Sequence, residues 1–210
     1  MRAVAIIPAR LAATRLPDKP LATIAGKPMV QWVYERASAA RSIDAVWVAT
    51  PDDAIAEAVR AFGGQVAMTR PDHQTGTDRI AEAAQALPDS VRVVVNVQGD
   101  EPRIAPETID AVAAPLLADP DLAMSTVCCP LPEGREDDPN VVKVVGALSG
   151  DALYFSRSSL PYRRAGDAPY APLQHVGLYG YRRDFLLAFP RLARTPLERV
   201  ESLEQLRVLE

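Results

Sequence analysis

Apolar and polar positions along the first half of the chain alternate between two periods. Residues 4–7 form an apolar run that reads as a buried first strand. After Gly26-Lys27-Pro28, the residues Val30, Val33, Tyr34 and Ala37 recur at helical spacing and predict a helix to about Ala39. Residues 45–49 read as a second buried strand. Ile55, Ala58, Val59 and Phe62 mark an amphipathic helix stopped by Gly63-Gly64, and residues 65–68 a short third strand. A further helix carries Ile80, Ala83, Ala84 and Leu87. Residues 91–97 make the strongest strand pattern of the chain, and Pro106 opens a helix with Ile109, Val112, Ala113 and Leu116 on one face. Strand and helix in alternation imply a parallel sheet with right-handed crossovers.

The second half changes character. Residues 123–128, 141–145, 152–155 and 175–181 read as strands not regularly separated by helices, which predicts an antiparallel edge or subregion lying over a ligand. Thr195-Pro196-Leu197-Glu198 is a helix start, with Thr as N-cap, Pro at the first position and Glu closing a capping box. That helix is expected to run on through Leu203 and Leu206. Leu206, Val208 and Leu209 would then offer an apolar face, either to a second copy or to the chain's own core.

At 210 residues the chain is expected to be one domain. A net charge of −4 argues against a general nucleic-acid or anionic-membrane surface. No apolar run approaches the ~18 residues needed to span a bilayer. The start, Met1-Arg2-Ala3-Val4, enters a strand with no signal-peptide pattern, so a cytoplasmic protein is expected. Cys128 and Cys129 are adjacent, suit neither a disulfide framework nor a zinc site, and read as buried small hydrophobes.

Candidate chemistry gathers where strands end. The first strand empties into a loop holding Arg10, Arg15 and Lys19 among small residues, with Pro17 and Pro20 stiffening the exit. Arginine forks and a mobile ammonium suit phosphate, and cations just past a parallel strand stand where open α/β sheets bind ligands. Asp100 follows the strongest strand through the turn Gln98-Gly99-Asp100. A hard carboxylate facing a phosphate loop is suited to Mg²⁺. The polar segment 69–79, with Gln74, Thr75, Gly76 and Arg79, offers groups that read a base and ribose at a helix start. His73 within it has no evident partner. There is no G-x-G-x-x-G after a strand and no G-x-x-x-x-G-K-[ST], which disfavours a dehydrogenase or P-loop enzyme. In the second half Arg157 ends a strand, His175 and Tyr179 share a face by alternation, and Glu204 and Gln205 fall on the last helix.

The segments IIPARLAATRLPDKPL, TRPDHQTGTDR, VVNVQGDEP, NVVKVV, ALYFSRSSLPY, HVGLYGYR and PLERVESLEQLRVL follow one another in that order. In this they closely resemble the 3-deoxy-manno-octulosonate (Kdo) cytidylyltransferases, or CMP-Kdo synthetases, over nearly the whole chain. The resemblance implies a Rossmann-like α/β fold of the nucleotide-diphospho-sugar transferase type, with a mostly parallel sheet flanked by helices and an antiparallel sugar-binding and dimerisation subregion, residues 1–120 being mainly nucleotide-binding and 121–210 mainly sugar-binding. It also implies transfer of CMP from CTP to the anomeric hydroxyl of Kdo for lipopolysaccharide synthesis, by a cytoplasmic homodimer that needs no nucleic acid or membrane.

Carried over by position, Arg10, Arg15 and Lys19 would hold the CTP phosphates, and Gln74, Thr75, Gly76 and Arg79 would form the cytidine pocket. Asp100 would bind Mg²⁺, and Arg10, Lys19 and Asp100 would be the catalytic set. Gln98, Arg157, His175, Tyr179, Glu204 and Gln205 would surround Kdo, with Arg157 on its carboxylate. The family usually continues past the LEQLRVL segment to a V-D-T-P-E-D-L type motif whose aspartate is a second metal ligand. Two alternatives stand: a truncated sequence, able to bind CTP yet catalyse poorly, or a variant that binds the metal differently. Residues 162–175 are fewer than is usual in the family, which bears on sugar selectivity. The alternatives are another sugar nucleotidyltransferase, or a CTP-binding protein with little turnover.

Overall fold

The computed structural model describes residues 1–11, 18–164 and 170–210. They form two compact units, Met1–Ser125 with Leu178–Pro190, and Thr126–Gly177 with Arg191–Glu210. Residues 178–190 therefore belong with the N-terminal part of the chain.

In order, the elements are β1 (Ala3–Pro8), β2 (Thr23–Ile24), β3 (Lys27–Pro28), α1 (Met29–Ser38), β4 (Ala45–Thr50), α2 (Asp53–Ala61), β5 (Gln65–Met68), α3 (Gly76–Gln85), β6 (Val93–Asn96) and α4 (Pro106–Ala118). They continue as β7 (Met124–Pro130), β8 (Lys143–Gly146), β9 (Ala152–Ser156), β10 (Leu173–Arg182), α5 (Arg183–Ala188), α6 (Pro196–Glu201) and α7 (Leu206–Leu209).

In the first unit β1 lies between β4 and β6, parallel to both, and β5 joins parallel beyond β4. A strand flanked on both sides and covered on both faces has no solvent side, which is why Ala3, Val4, Ala5, Ile6 and Ile7 are all fully buried and uninterrupted by polar residues. The C-terminal part of β10 pairs antiparallel with β6, Tyr179 opposite Asn96 and Tyr181 opposite Val94. Helix α3 covers one face, with Ile80 and Ala84, and Leu87 just beyond the helix, packed into a core that includes Val4, Ile6, Val94 and Tyr181. Helix α2 ends where Gly63 takes φ +82, a left-handed conformation that favours glycine.

Two elements escape the hydrophobic pattern because they are too short to show a period: the two-residue ladder β2–β3 and the six-residue α5. The adjacent Arg182, which ends β10, and Arg183, which opens α5, anchor two helix ends. Arg182 Nη2 donates to Leu116 O at 2.8 Å and Asp119 O at 2.6 Å, at the end of α4. Arg183 Nη2 donates to Leu87 O at 2.8 Å, just past α3. Cations on the last carbonyls of a helix offset its negative end.

In the second unit β8 and β9 form an antiparallel pair, and β8 also pairs with Leu173 and Gln174 of β10. Val144, Phe155, Leu203 and Leu206 form its core. The expected continuous helix from Thr195 through Leu206 is broken. Helix α6 stops at Ser202, which takes φ 53, and α7 begins only at Leu206. The turn lets both Leu203 and Leu206 reach the core. The bidentate pair of Arg207 and Glu198, with Nε to Oε2 at 2.8 Å and Nη2 to Oε1 at 2.5 Å, ties the two short helices together. The cysteines are not buried as expected: Cys128 is exposed and Cys129 half-buried. Alternation sends them to opposite faces at the Pro130 end of β7, and neither packs in the core around Val4 and Val94 or in that around Val144 and Phe155.

Candidate functional site

The site in the first unit is built from the carboxyl ends of β1 and β6 and from the loop that enters α3. Pro8, Ala9 and Arg10 leave β1, Gln98 follows β6, and residues 73–76 with Arg79 come from the α3 entry; together they line one pocket. Its volume of about 150 Å³ is below the ~300–1,000 Å³ of pockets that enclose a whole ligand. It therefore suits a nucleobase, with any triphosphate lying outside it.

Each wall is fixed by local chemistry. Thr75 caps α3: its Oγ1 accepts from Asp78 N–H at 3.1 Å, and the Asp78 carboxylate accepts from Thr75 N–H at 3.2 Å. The Thr75 hydroxyl is thus engaged in holding the helix start. Arg79 is buried, and its Nη1 donates to Thr69 Oγ1 at 2.6 Å and Arg70 O at 3.2 Å, pinning the loop that forms the pocket rim. Burial first, and then the charge of Arg10, pull its guanidinium below the ordinary value. Two cations near enough to repel leave a place for an anionic or electron-rich group between them. Gln74 is exposed, its amide donating to Asp72 O at 3.0 Å.

Two residues past Gln98, Asp100 accepts from Lys19 Nζ at 2.7 Å. The turn between them depends on Gly99, since a Cβ there would lie 2.9 Å from Pro8 O. The ends of β1 and β6 approach too closely for any side chain. Arg10 and Lys19 thus flank the sheet edge with Asp100, while Arg15 lies outside the described residues.

Sequence reading missed two supports of this site. Asp52, just before α2, accepts from Leu11 N–H at 2.8 Å and so holds the start of the cationic loop. The only local signal is an acidic residue ahead of a helix. His73, expected to stand alone, is paired: its Nε2 meets Glu82 Oε2 on α3. Burial acts to raise the Glu82 carboxyl, but the hydrogen bonds from His73 and from Arg70 N–H outweigh it, and Glu82 titrates below its ordinary value.

Comparison with known proteins gives the family. The family model described as "Cytidylyltransferase" matches residues 4–210. The 3-deoxy-manno-octulosonate cytidylyltransferase of Geobacter metallireducens is 54% identical, over all of this chain and 86% of its own length. That of Myxococcus xanthus is 52% identical, over all of this chain and 84% of its own length. The chain belongs to the 3-deoxy-manno-octulosonate cytidylyltransferase family. A solved CMP:2-keto-3-deoxy-manno-octonic acid synthetase complexed with CTP superposes with a TM-score of 0.95 at 44% identity, covering 100% of this chain and 86% of that one. A cytidylyltransferase of Leptospira borgpetersenii, 18% identical with a TM-score of 0.61, covers 98% of this chain and 71% of that one and shares the fold.

In this cytidylyltransferase Gln98 and Tyr179 belong to the first unit, and Arg157, His175, Glu204 and Gln205 to the second. Tyr179 packs beside Tyr181, their ring centroids 6.2 Å apart. In the second unit Arg157 is held by backbone carbonyls: Nε donates to Glu201 O and Nη1 to Pro139 O, both at 2.8 Å. Glu201, which sequence reading did not single out, accepts from Arg157 N–H at 3.0 Å and Ser156 Oγ at 2.5 Å. Lys143, fully buried, donates to Asp138 O at 2.9 Å, to Val141 O at 2.7 Å and to Arg157 O. Three acceptors use all three of its protons. His175 Nε2 lies 2.8 Å from Thr126 Oγ1, and burial pushes the imidazole down to about 4. Gln205 is buried, and Glu204 Oε1 lies 3.8 Å from Arg207 Nη2.

Proposed function

We infer that this chain transfers CMP from CTP to the anomeric hydroxyl of 3-deoxy-manno-octulosonate, releasing pyrophosphate. The observation that carries the reading is the base-sized pocket at the carboxyl ends of β1 and β6, with Arg10 in its wall and the Lys19–Asp100 pair two residues past Gln98. The family to which the chain belongs supports it.

In such a transfer the sugar hydroxyl attacks the α-phosphorus in line as pyrophosphate departs. The protein has no covalent bond to make; it must align the reactants and neutralise the phosphate oxygens. Arg10 and Lys19 supply positive charge at the sheet edge. Arg79 and the Thr75–Asp78 cap fix the loop against which the base rests. Arg157, His175, Glu204 and Gln205, with Gln98 and Tyr179, are proposed for the sugar.

The proposal includes Mg²⁺ held through Asp100. A half-exposed carboxylate whose Oδ2 already carries an ammonium fits a hard cation, and that ion takes one or two carboxylates with phosphate oxygens and water. Among the described residues no cluster of three or more metal-binding side chains occurs, so phosphate and water would complete the set. When bound, the ion would supply Lewis-acid polarisation of the phosphate. A homodimer in the cytoplasm is proposed on the family resemblance. Among the described residues no helix is long and apolar enough to cross a membrane.

The test is pyrophosphate release by this chain with Mg²⁺ and each nucleoside triphosphate, with and without Kdo. Release with CTP and Kdo together, and with no other pairing, is expected. Release without Kdo, or equal release with a purine triphosphate, would overturn the reading.

A further inference from the structure

The mechanism leaves His73 and Glu82 unused, although His73 stands in the wall of the base-sized pocket. Its side chain is only 8% exposed, so its orientation is fixed by what it touches. Glu82 Oε2 faces both His73 Nε2 and, at 3.1 Å, the Arg70 N–H. A carboxylate has no proton to give, so the proton of the first contact sits on Nε2. In the neutral ring, Nδ1 then carries the lone pair and is an acceptor. Among the described residues no hydrogen bond to Nδ1 is formed.

No other side chain of the pocket is an acceptor of fixed polarity for the amino group of cytosine. Arg10 and Arg79 carry donors only, and the Thr75 hydroxyl is engaged with Asp78. Gln74 and Gln98 carry a donor and an acceptor on one rotatable amide and suit either base. The two bases differ at position 3, an acceptor in cytosine and an N–H donor in uracil, and at position 4, an amino donor in cytosine and a carbonyl acceptor in uracil. A guanidinium can read position 3, but only an acceptor of fixed polarity can read the amino group, and Glu82 orients a neutral His73 so that Nδ1 is that acceptor.

We propose that His73, held by Glu82, presents Nδ1 to the exocyclic amino group of the base and so sets the preference for a cytidine over a uridine nucleotide. This rests on the reading of the pocket as the base site of CTP. A pocket built to accept from an amino group disfavours the carbonyl analogue, because two acceptors are then left facing each other.

The experiment is equilibrium titration of the whole chain with CTP and with UTP, without Kdo, for the wild type and for His73→Phe, which keeps a ring and removes the acceptor. The expected result is a loss of about tenfold in CTP affinity with UTP affinity unchanged. Equal losses for both nucleotides would mean that the ring only packs, and would overturn the proposal while sparing the pocket. Wild-type affinities that are equal for CTP and UTP would do the same. A wild type that binds neither nucleotide removes the pocket reading and the proposal together. Should His73→Phe fail to fold, imidazole ¹⁵N spectra of the wild type decide, because the chain has only 2 histidines. The expected spectrum has the His73 proton on Nε2, with the Nδ1 signal moved by CTP and not by UTP; a proton on Nδ1 refutes the proposal.

Discussion

Lys19 Nζ lies 2.7 Å from Asp100 Oδ2, although 81 residues separate the two in sequence. The side chains are 34% and 51% exposed, so the pair adds well under ~1 kcal/mol to stability. Its significance is the placement of opposite charges where β1 and β6 end. Asp100→Asn is therefore expected to lower Mg²⁺-dependent pyrophosphate release by about 10²-fold or more, while the melting temperature moves by less than about 2 °C. Activity within a few-fold of wild type would remove Asp100 from the metal assignment.

Gly99 makes this placement possible. A methyl group there meets the Pro8 carbonyl oxygen at 2.9 Å and Ile7 Cγ2 at 3.5 Å, and the nearer of these is backbone. Gly99→Ala is expected to cost about 1–3 kcal/mol in urea unfolding. It should also reduce turnover beyond what the folded fraction explains, because relief comes by turning Asp100 away from Lys19. Gly177→Ala, where nothing lies within 4 Å, is the control and should stay within about 0.5 kcal/mol. Equal effects at the two positions would show that close approach is not what Gly99 serves.

Glu198 and Arg207 form a buried bidentate pair, their side chains 8% and 6% exposed. The guanidinium first, against the opposing effect of burial, holds the Glu198 carboxyl below its ordinary range. Removing one partner strands the other charge. Arg207→Met is expected to cost about 3 kcal/mol, and the double change Glu198→Leu with Arg207→Met distinctly less than the two single losses added together. Additive losses in denaturant unfolding would mean that the two side chains act independently.

These contacts also show what could be read from the sequence. The uninterrupted apolar run of β1, the Gln98-Gly99-Asp100 turn and the Thr195 helix start are local patterns with local causes, and each is present in the structure. The break after Ser202 is not local. It arises because Leu203 and Leu206 both pack with Val144 and Phe155 while Arg207 reaches back to Glu198. His73 and Glu82 are nine residues apart, on a loop and on a helix, and no periodicity links them. Asp52 acts on Leu11 across 41 residues. The exposure of Cys128 depends on what covers β7, which composition does not specify.

His175 packs edge-on against Phe155, with ring centroids 5.0 Å apart, and burial lowers its imidazole from 6.5 to about 4. The unfolded chain takes up this proton near the ordinary value, while the folded chain resists it until about 4. Between these values the unfolded state binds more protons, so stability is fully present above about 6.5 and declines as pH falls toward 4. At pH 5 the loss from this one group is on the order of 2 kcal/mol. The check is urea unfolding of the wild type and of His175→Gln at about pH 7.5 and 5. Carboxylates paired in the fold weaken at acid pH in both proteins and cancel in the comparison. The variant should therefore lose less stability on acidification than the wild type. The same loss in both would mean that His175 is not a group whose protonation opposes the fold.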